Sequence, residues 1–310
     1  MQEANTQRNT EGSTAARFQT TRGTLSEMSK LMRDLAGADR RRVLVTGAGG
    51  GIGDAVARRM AQAGYDVVGT VRDALRAEAL SQDAARAGLR LRYLPLELTD
   101  DRQVEALGSR IGAEGALDVL VHNAGFGVFG AVEDVDAATA ARQFAVNVLG
   151  PLALTRCLLP GLRATRGHVI WIGSLAGRVA LPFQAHYSAT KAAIALISDA
   201  LRMEVAPHGV RVTCVEPSDF ATGFTNARCL SRRDDSAYAL VSGRCLAEVE
   251  KQERSAPDPA WVARVVQELA ESADPPPRRP VGSNARRICL LLRLLPARLA
   301  ERMIRSHYRV

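Results

Sequence analysis

Lysine is scarce in this chain. It stands only at Lys30, Lys191 and Lys251, so nearly all of the 41 basic residues are arginine, and so is the net charge of +8. The arginine bias comes with no nucleic-acid-binding motif, and a basic balance alone speaks to solubility and association, not to fold. Nucleic acid is not expected as a partner. Paired cysteines are missing too: Cys157, Cys214, Cys229, Cys245 and Cys289 show no C-x-x-C spacing. An odd count without metal-ligand spacing argues against a disulfide framework and a metal site, and sets the expectation of reduced thiols in a cytoplasm. No apolar run reaches the roughly 18 residues of a membrane span. The N-terminus carries no apolar h-region, so a secretory signal is not expected, and no solenoid repeat appears. What remains at 310 residues, 46% hydrophobic and 24% charged, is an ordinary globular composition, long enough for one large α/β domain or two small ones.

Residues 1 to about 24 are polar and aperiodic and read as disordered. Leu25, Met28, Leu31, Met32 and Leu35 then recur at helical spacing. Residues 1–38 are therefore expected to be a disordered or partly helical extension, packing on the main domain in the simplest case, or else on a partner or a membrane.

Residues 39–285 are expected to form one NAD(P)-binding catalytic domain, in which strands and helices alternate from 42 to 216. Arg42 to Val45 reads as the first strand, Thr46 to Gly53 as a glycine-rich turn, and Asp54 to Ala63 as the helix after it. Strand, turn and helix in this order make a dinucleotide site: glycines admit the pyrophosphate to the backbone, and the helix N-terminus offers N–H groups. The G-x-G-x-x-G fingerprint fails in every register, because its third glycine falls on Ile52, Asp54 or Val56. The spacing present is T-G-x-x-x-G-x-G, through Thr46, Gly47, Gly51 and Gly53. Asp66 to Val71 is the second strand. Arg72 at its tip favours the 2′-phosphate of NADP(H), and Asp73 keeps NAD(H) as the weaker reading. Further strands are expected at Leu89 to Leu96, Leu117 to Val121, His168 to Ile172 and Val210 to Val215. Helices are expected at Arg76 to Ala87, from a Thr99 or Asp100 cap to Ile111, and along most of Asp136 to Leu162. The pattern argues a doubly wound parallel sheet, a Rossmann fold, with ligands at the carboxyl ends of the strands.

Ala185 to Val205 reads as a helix free of Pro and Gly, and it places Tyr187 and Lys191 four apart on one face. A tyrosine with an ordinary pKa of about 10 is nearly inert as an acid or base near neutrality. A cation within about 4–6 Å lowers that value, and the phenol can then exchange a proton with a substrate oxygen. Ser174 lies thirteen residues upstream, at the end of the fifth strand.

Together these residues resemble the short-chain dehydrogenase/reductase family over about Arg41 to Thr222. The glycine turn matches the family's own. Asn123, Ala124 and Gly125 match its N-N-A-G, with His122 in first place. Asn147, Ser174, Tyr187 and Lys191 match its catalytic tetrad, and Pro217 to Thr222 match its P-G-x-x-x-T with Ser218 replacing glycine. The adenine-contacting Asp is Glu97 here. The resemblance implies cofactor contacts from Gly47, Gly49, Gly51, Ile52 and Gly53, from Arg72, Glu97 and Leu98, and from Asn123, Ala124 and Gly125. It adds Tyr187, Lys191, Pro217, Phe220 and Thr222. It implies Tyr187 as general acid/base, Ser174 on the substrate oxygen, Lys191 as modulator and ribose contact, Asn147 holding a water, and assembly into a homodimer or homotetramer. A dinucleotide-binding sensor or scaffold without turnover is the alternative, against which the complete tetrad speaks.

Phe126, Phe183 and Phe224, with Val128, Phe129, Leu175 and Phe220, are candidates for an apolar substrate pocket, although any of them could be core. The tail resembles the 17β-hydroxysteroid and retinol dehydrogenase branch, which implies an apolar ketone or secondary alcohol such as a steroid, retinoid or polyketide-like compound. Residues 222–256 read as a mobile flap with some helix, a further helix opens at Asp258-Pro259, and 275–280 read as a linker or extended run. Residues 286–310 interleave leucines with seven arginines and are divided by Pro296. They read as two helices closing the pocket, or as a basic amphipathic surface making peripheral contact with an acidic membrane.

Overall fold

Short apolar runs with few polar interruptions suit strands covered on both faces, and here such runs build most of one parallel sheet. In the computed structural model, which describes residues 40–221, 228–231, 233 and 235–310, six such strands appear. They are β1 (Arg42–Val45), β2 (Asp66–Val71), β3 (Leu91–Pro95), β4 (Val119–His122), β6 (His168–Ile172) and β7 (Arg211–Pro217). A two-residue β5 (Val128–Phe129) falls between β4 and β6. The N-terminal extension, Thr222 and Phe224 lie outside the described residues.

The sheet runs β3-β2-β1-β4-β6-β7 and ends on β9 (Arg278–Val281), with every pairing parallel. This seventh strand occupies the stretch expected to be a linker or an extended run. Its sequence, Arg-Arg-Pro-Val, has no strand pattern of its own. It is held from outside: Arg278 Nη2 contacts Asp199 at 2.6 Å, and its Nη1 lies 3.5 Å from Glu216 on β7.

Helices cover both faces. On one, α1 (Gly51–Gln62), α2 (Ala74–Arg86) and α8 (Ala260–Glu271) contribute Val56, Met60, Ala77, Ala84, Val262 and Val266 to a core with Val43, Val67 and Val121. On the other, α3 (Asp101–Ala113), α5 (Gly150–Thr165) and α6 (Ala185–Val205) contribute Leu107, Leu154, Leu158, Ile194 and Leu201 around Leu44, Leu120 and Trp171. Asp100, not Thr99, caps α3, accepting from the Arg102 and Gln103 amides.

The long apolar stretch expected from Asp136 is three pieces: α4 (Ala137–Phe144), a π-helical turn (Ala145–Leu149) and α5. Pro160 sits inside α5. The run 137–165 is long and apolar enough to cross a membrane by length and composition, but its inward leucines fill the second core.

Beyond β7, the region expected as a mobile flap contains β8 (Cys229–Leu230), paired with β5, and the sixteen-residue α7 (Ala239–Arg254). Cys245, Leu246 and Val249 of α7 pack with Phe129, and Tyr308 and Val310 close over them. Two helices, α9 (Ala285–Leu294) and α10 (Ala297–Tyr308), flank Pro296.

Candidate active site

The strand order reverses at β1, whose neighbours are β2 and β4. Such a switch point leaves a crevice at the carboxyl ends of the strands, and here the turn after β1 meets the segment after β4. Thr46 Oγ1 accepts from the amides of Asn123 and Ala124, at 3.0 and 3.1 Å. Asn123 Nδ2 returns bonds to the Thr46 and Gly47 carbonyls at 3.1 and 3.0 Å. Gly47 has φ +65°, and a Cβ on it would lie 2.7 Å from Ala124 Cα. A Cβ on Gly53 would lie 2.2 Å from Gly47 O. Gly53 is thus buried beneath the turn as a spacer between helix and loop, not on the cleft wall where a cofactor contact was expected. Gly47, Gly49, Gly51 and Ile52 do line the cleft. Gly50, at the N-cap of α1, provides no side-chain cap, which leaves the helix's first N–H groups to an anion such as a pyrophosphate.

At the tip of β2, Arg72 lines the same cleft. Asp73, the residue that kept NAD in play, is the N-cap of α2 and accepts from the Arg76 amide at 2.7 Å. Its carboxylate is therefore already engaged. Arg76, which sequence reasoning passed over, lines the cleft as well and donates from Nη2 to Gly49 O at 2.7 Å. Two guanidiniums and a glycine turn fit a dinucleotide with a 2′-phosphate. Glu97 and Leu98 lie on the cleft wall, but the Glu97 carboxylate folds back on Thr99 N and Oγ1, at 3.1 and 2.9 Å.

Ser174, Tyr187 and Lys191 come together on this cleft. Ser174 follows β6, N-caps a 3₁₀ turn (Leu175–Gly177) and hydrogen-bonds Tyr187. Lys191 is buried. Its Nζ donates to Ile172 O at 2.9 Å and lies 5.7 Å from the Tyr187 ring centroid. The electrostatics depart from expectation. Burial pushes the Tyr187 phenol up to about 12, opposed first by the Ser174 hydrogen bond. Burial likewise brings Lys191 down to about 8. Desolvation, which disfavours whichever form is charged, outweighs the lowering of the tyrosine expected from its lysine neighbour.

Asn147 is not on the cleft wall. It sits in the π-helical turn, where Oδ1 accepts from Phe126 N at 3.0 Å and Nδ2 donates to Phe126 O and Thr190 Oγ1, at 2.9 and 3.1 Å. The side chain ties the segment after β4 to the Tyr–Lys helix. This is the hydrogen-bonding reason a buried asparagine needs, and π-turns recur at functional sites. His122, in the asparagine's usual place, is stacked on Trp171 with centroids 4.3 Å apart, and burial lowers its pKa to about 3. It is neutral at any working pH.

The cleft is a cavity of about 1410 Å³. Pro217 and Phe220 border it, as do Phe126 and Leu175. Phe183 does not. With φ 59° it packs against Phe129 and Tyr238, at 5.9 and 6.5 Å between centroids, so the aromatic expected to meet substrate lies in a small core with Phe129 instead. The far wall comes from Asp219, Gln252, Glu253 and Tyr308, which sequence reasoning did not single out, and from Ile288, Leu291 and Met303 of α9 and α10, the helices expected to close the pocket.

Residues 41–232 match the family described as short chain dehydrogenase. The chain is similar to a 3-ketodihydrosphingosine reductase of Bacteroides thetaiotaomicron, 33% identical over 244 residues that cover 77% of this chain and 87% of that protein. A crystal structure of a short-chain dehydrogenase from Streptomyces avermitilis superposes with a TM-score of 0.74 at 33% identity, covering 86% of this chain and 97% of that one. A metagenomic short-chain oxidoreductase in complex with NADP superposes at 0.63 with 28% identity, over 78% and 96% of the two chains. Sheet order, switch-point cleft and these likenesses agree: this chain is an oxidoreductase and belongs to the short-chain dehydrogenase family.

Proposed function

We propose that the protein is an NADPH-dependent ketoreductase acting on an apolar ketone, such as a steroid, retinoid or polyketide-like compound, or on the corresponding secondary alcohol in reverse. The observation that carries this reading is Ser174, Tyr187 and Lys191 on one cleft wall. NADPH, when bound, supplies the hydride to the carbonyl carbon. Tyr187 donates its phenolic proton to the carbonyl oxygen, and a phenol held near 12 keeps that proton throughout the neutral range, which suits reduction better than oxidation. Ser174 hydrogen-bonds the same oxygen as negative charge develops. The Lys191 ammonium, largely charged at pH 7 with a pKa of about 8, offsets the phenolate left behind. Asn147 acts through Phe126 and Thr190 as a positioning residue.

Arg72 and Arg76 support NADPH over NADH, and the related structure holding NADP points the same way. The similar 3-ketodihydrosphingosine reductase is by its name a reductase of a keto compound. The free cysteines suit a cytoplasmic setting. Leu149, Leu196 and Met203, each more than 60% exposed, offer a face for a homodimer or homotetramer. A monomer by light scattering at micromolar concentration would count against that assembly.

The test is turnover with NADPH over a panel of ketones, alongside Tyr187→Phe. The variant should lose about 10²–10⁴-fold in turnover while binding NADPH normally. Full activity in the variant would mean that the proton comes from another group.

A further inference from the structure

The helices α9 and α10 turn one face to the cleft and a chemically different face to solvent. On α9 the cleft face is Ile288, Leu291, Leu292 and Leu295, at helical spacing. Leu290 and Leu294, four apart and off that face, are 60% and 73% exposed. By helical phase, Arg286 and Arg293 flank this outer leucine stripe on one side and Arg287 on the other. On α10 the cleft face is Ala300, Met303, Ile304 and His307. Opposite it, Arg298, Arg302, Arg305 and Arg309 follow at spacings of four, three and four, in one stripe. Leu299, 44% exposed, borders them. Glu301 is the one acidic residue in 285–310. Among the described residues an ion pair is formed by Arg309, with Glu248 at 3.4 Å, and by none of the other six arginines. No residue of α10 is fully buried, and its packing on α7 is through Tyr308 at its end.

We propose that this outer face docks on an anionic lipid bilayer. The arginines engage headgroup phosphates while Leu290, Leu294 and Leu299 enter the acyl boundary, the division of labour of an interfacial amphipathic helix. The charge pattern selects this occupant. A second copy of the same face would set arginines against arginines, and a nucleic acid would engage the arginines but leave the exposed leucines in water. Docking holds the helices that wall the cleft at the bilayer surface, and it does not rest on the reductase reading.

The full chain is sedimented with vesicles of phosphatidylcholine alone or with about 30 mol% phosphatidylglycerol. NADPH titration and circular dichroism are run in parallel on each variant. The protein should pellet with the anionic vesicles, and at least about tenfold less well with the neutral ones. Leu290→Asp with Leu294→Asp, and separately Arg298→Glu with Arg302→Glu and Arg305→Glu, should each weaken binding to the anionic vesicles by a similar factor and leave NADPH affinity unchanged. None of these five residues lines the cleft. If the aspartate pair disturbs folding, Leu290→Ser with Leu294→Ser replaces it. Failure to pellet with anionic vesicles, equal pelleting of folded variants, or capture by duplex DNA in place of vesicles would each overturn the assignment. Loss of ketone turnover with vesicle binding intact would sink the reductase reading alone.

Discussion

Around Gly47 and Asn123 the cleft wall is largely main chain, whereas around Leu291 and Tyr308 it is side chain. The first wall is stapled by four hydrogen bonds that involve Thr46 and Asn123, and Gly47 and Gly49 in it have no room for a methyl group. The second is built from α7, α9 and α10, whose apolar residues line the cavity while many stay partly open to water. A backbone wall accepts one ligand shape, and its tolerance for substitution is low. A wall of leucine and methionine side chains can repack around ligands of different length. One cleft thus joins a demanding cofactor end to an adaptable substrate end.

The largest effect should come from breaking the cofactor end. Gly53→Val puts a branched side chain where even a Cβ would lie 2.2 Å from Gly47 O. Overpacking of this kind costs about 1–3 kcal/mol or more. NADPH affinity should fall beyond about a hundredfold because the turn must shift to relieve the clash, and the thermal midpoint should drop; calorimetric titration and a melting curve read both. An unshifted affinity would mean that the turn is not the phosphate cradle.

Arg72→Ala and Arg76→Ala should each weaken NADPH by about ten- to a hundredfold, the value of a charge-assisted hydrogen bond, and leave NADH nearly untouched. Equal binding of the two cofactors by the unmutated protein would remove the basis for this prediction.

The pH profile sharpens the boundary between the two ends, where Lys191 sits. Below about 8 its ammonium is present, and above that value it is lost. Tyr187 stays protonated up to about 12 and contributes no fall in this range. Carbonyl reduction should therefore be level from pH 6 to 7.5 and decline severalfold by pH 9.5. A profile flat to pH 10 would separate Lys191 charge from catalysis.

The smallest effect belongs to the substrate end. Leu291→Ala or Met303→Ala should lower kcat/KM for long-chain ketones by roughly fivefold, about one or two methylene contacts at ~0.8 kcal/mol each. Short ketones and NADPH should be unaffected. An equal loss on short and long ketones would mean that these helices support the fold and not the substrate.

Much of the fold was legible because a parallel strand buried on both faces is a contiguous apolar run. Strands β1, β2, β4, β6 and β7 announce themselves that way and the edge strand β3 by alternation, within two residues at their ends. Strand β9 does not, since what makes Arg278 part of a sheet is the Asp199 carboxylate on α6 and Glu216 on β7, both far away in the chain. The glycine turn was legible as a local motif, but Arg76 was not, because its reach to Gly49 depends on α2 starting at an Asp73 cap. Phe183 was misplaced for a similar reason: hydrophobicity marks a residue for burial without saying in which cluster.

The sequence alone determined the alternation of strands and helices, the glycine turn, and the four-residue step that puts Tyr187 and Lys191 on one helix face. These follow from period and covalent spacing, which act over a few residues. Tertiary structure alone decided that Asn147 faces Phe126 instead of the cleft, and that, of the two readings open for residues 286–310, their helices wall the cavity. It also decided that Tyr187 and Lys191 shift toward their uncharged forms. Each of these depends on how much water the surrounding elements exclude, a sum over parts of the chain that meet only once it is folded.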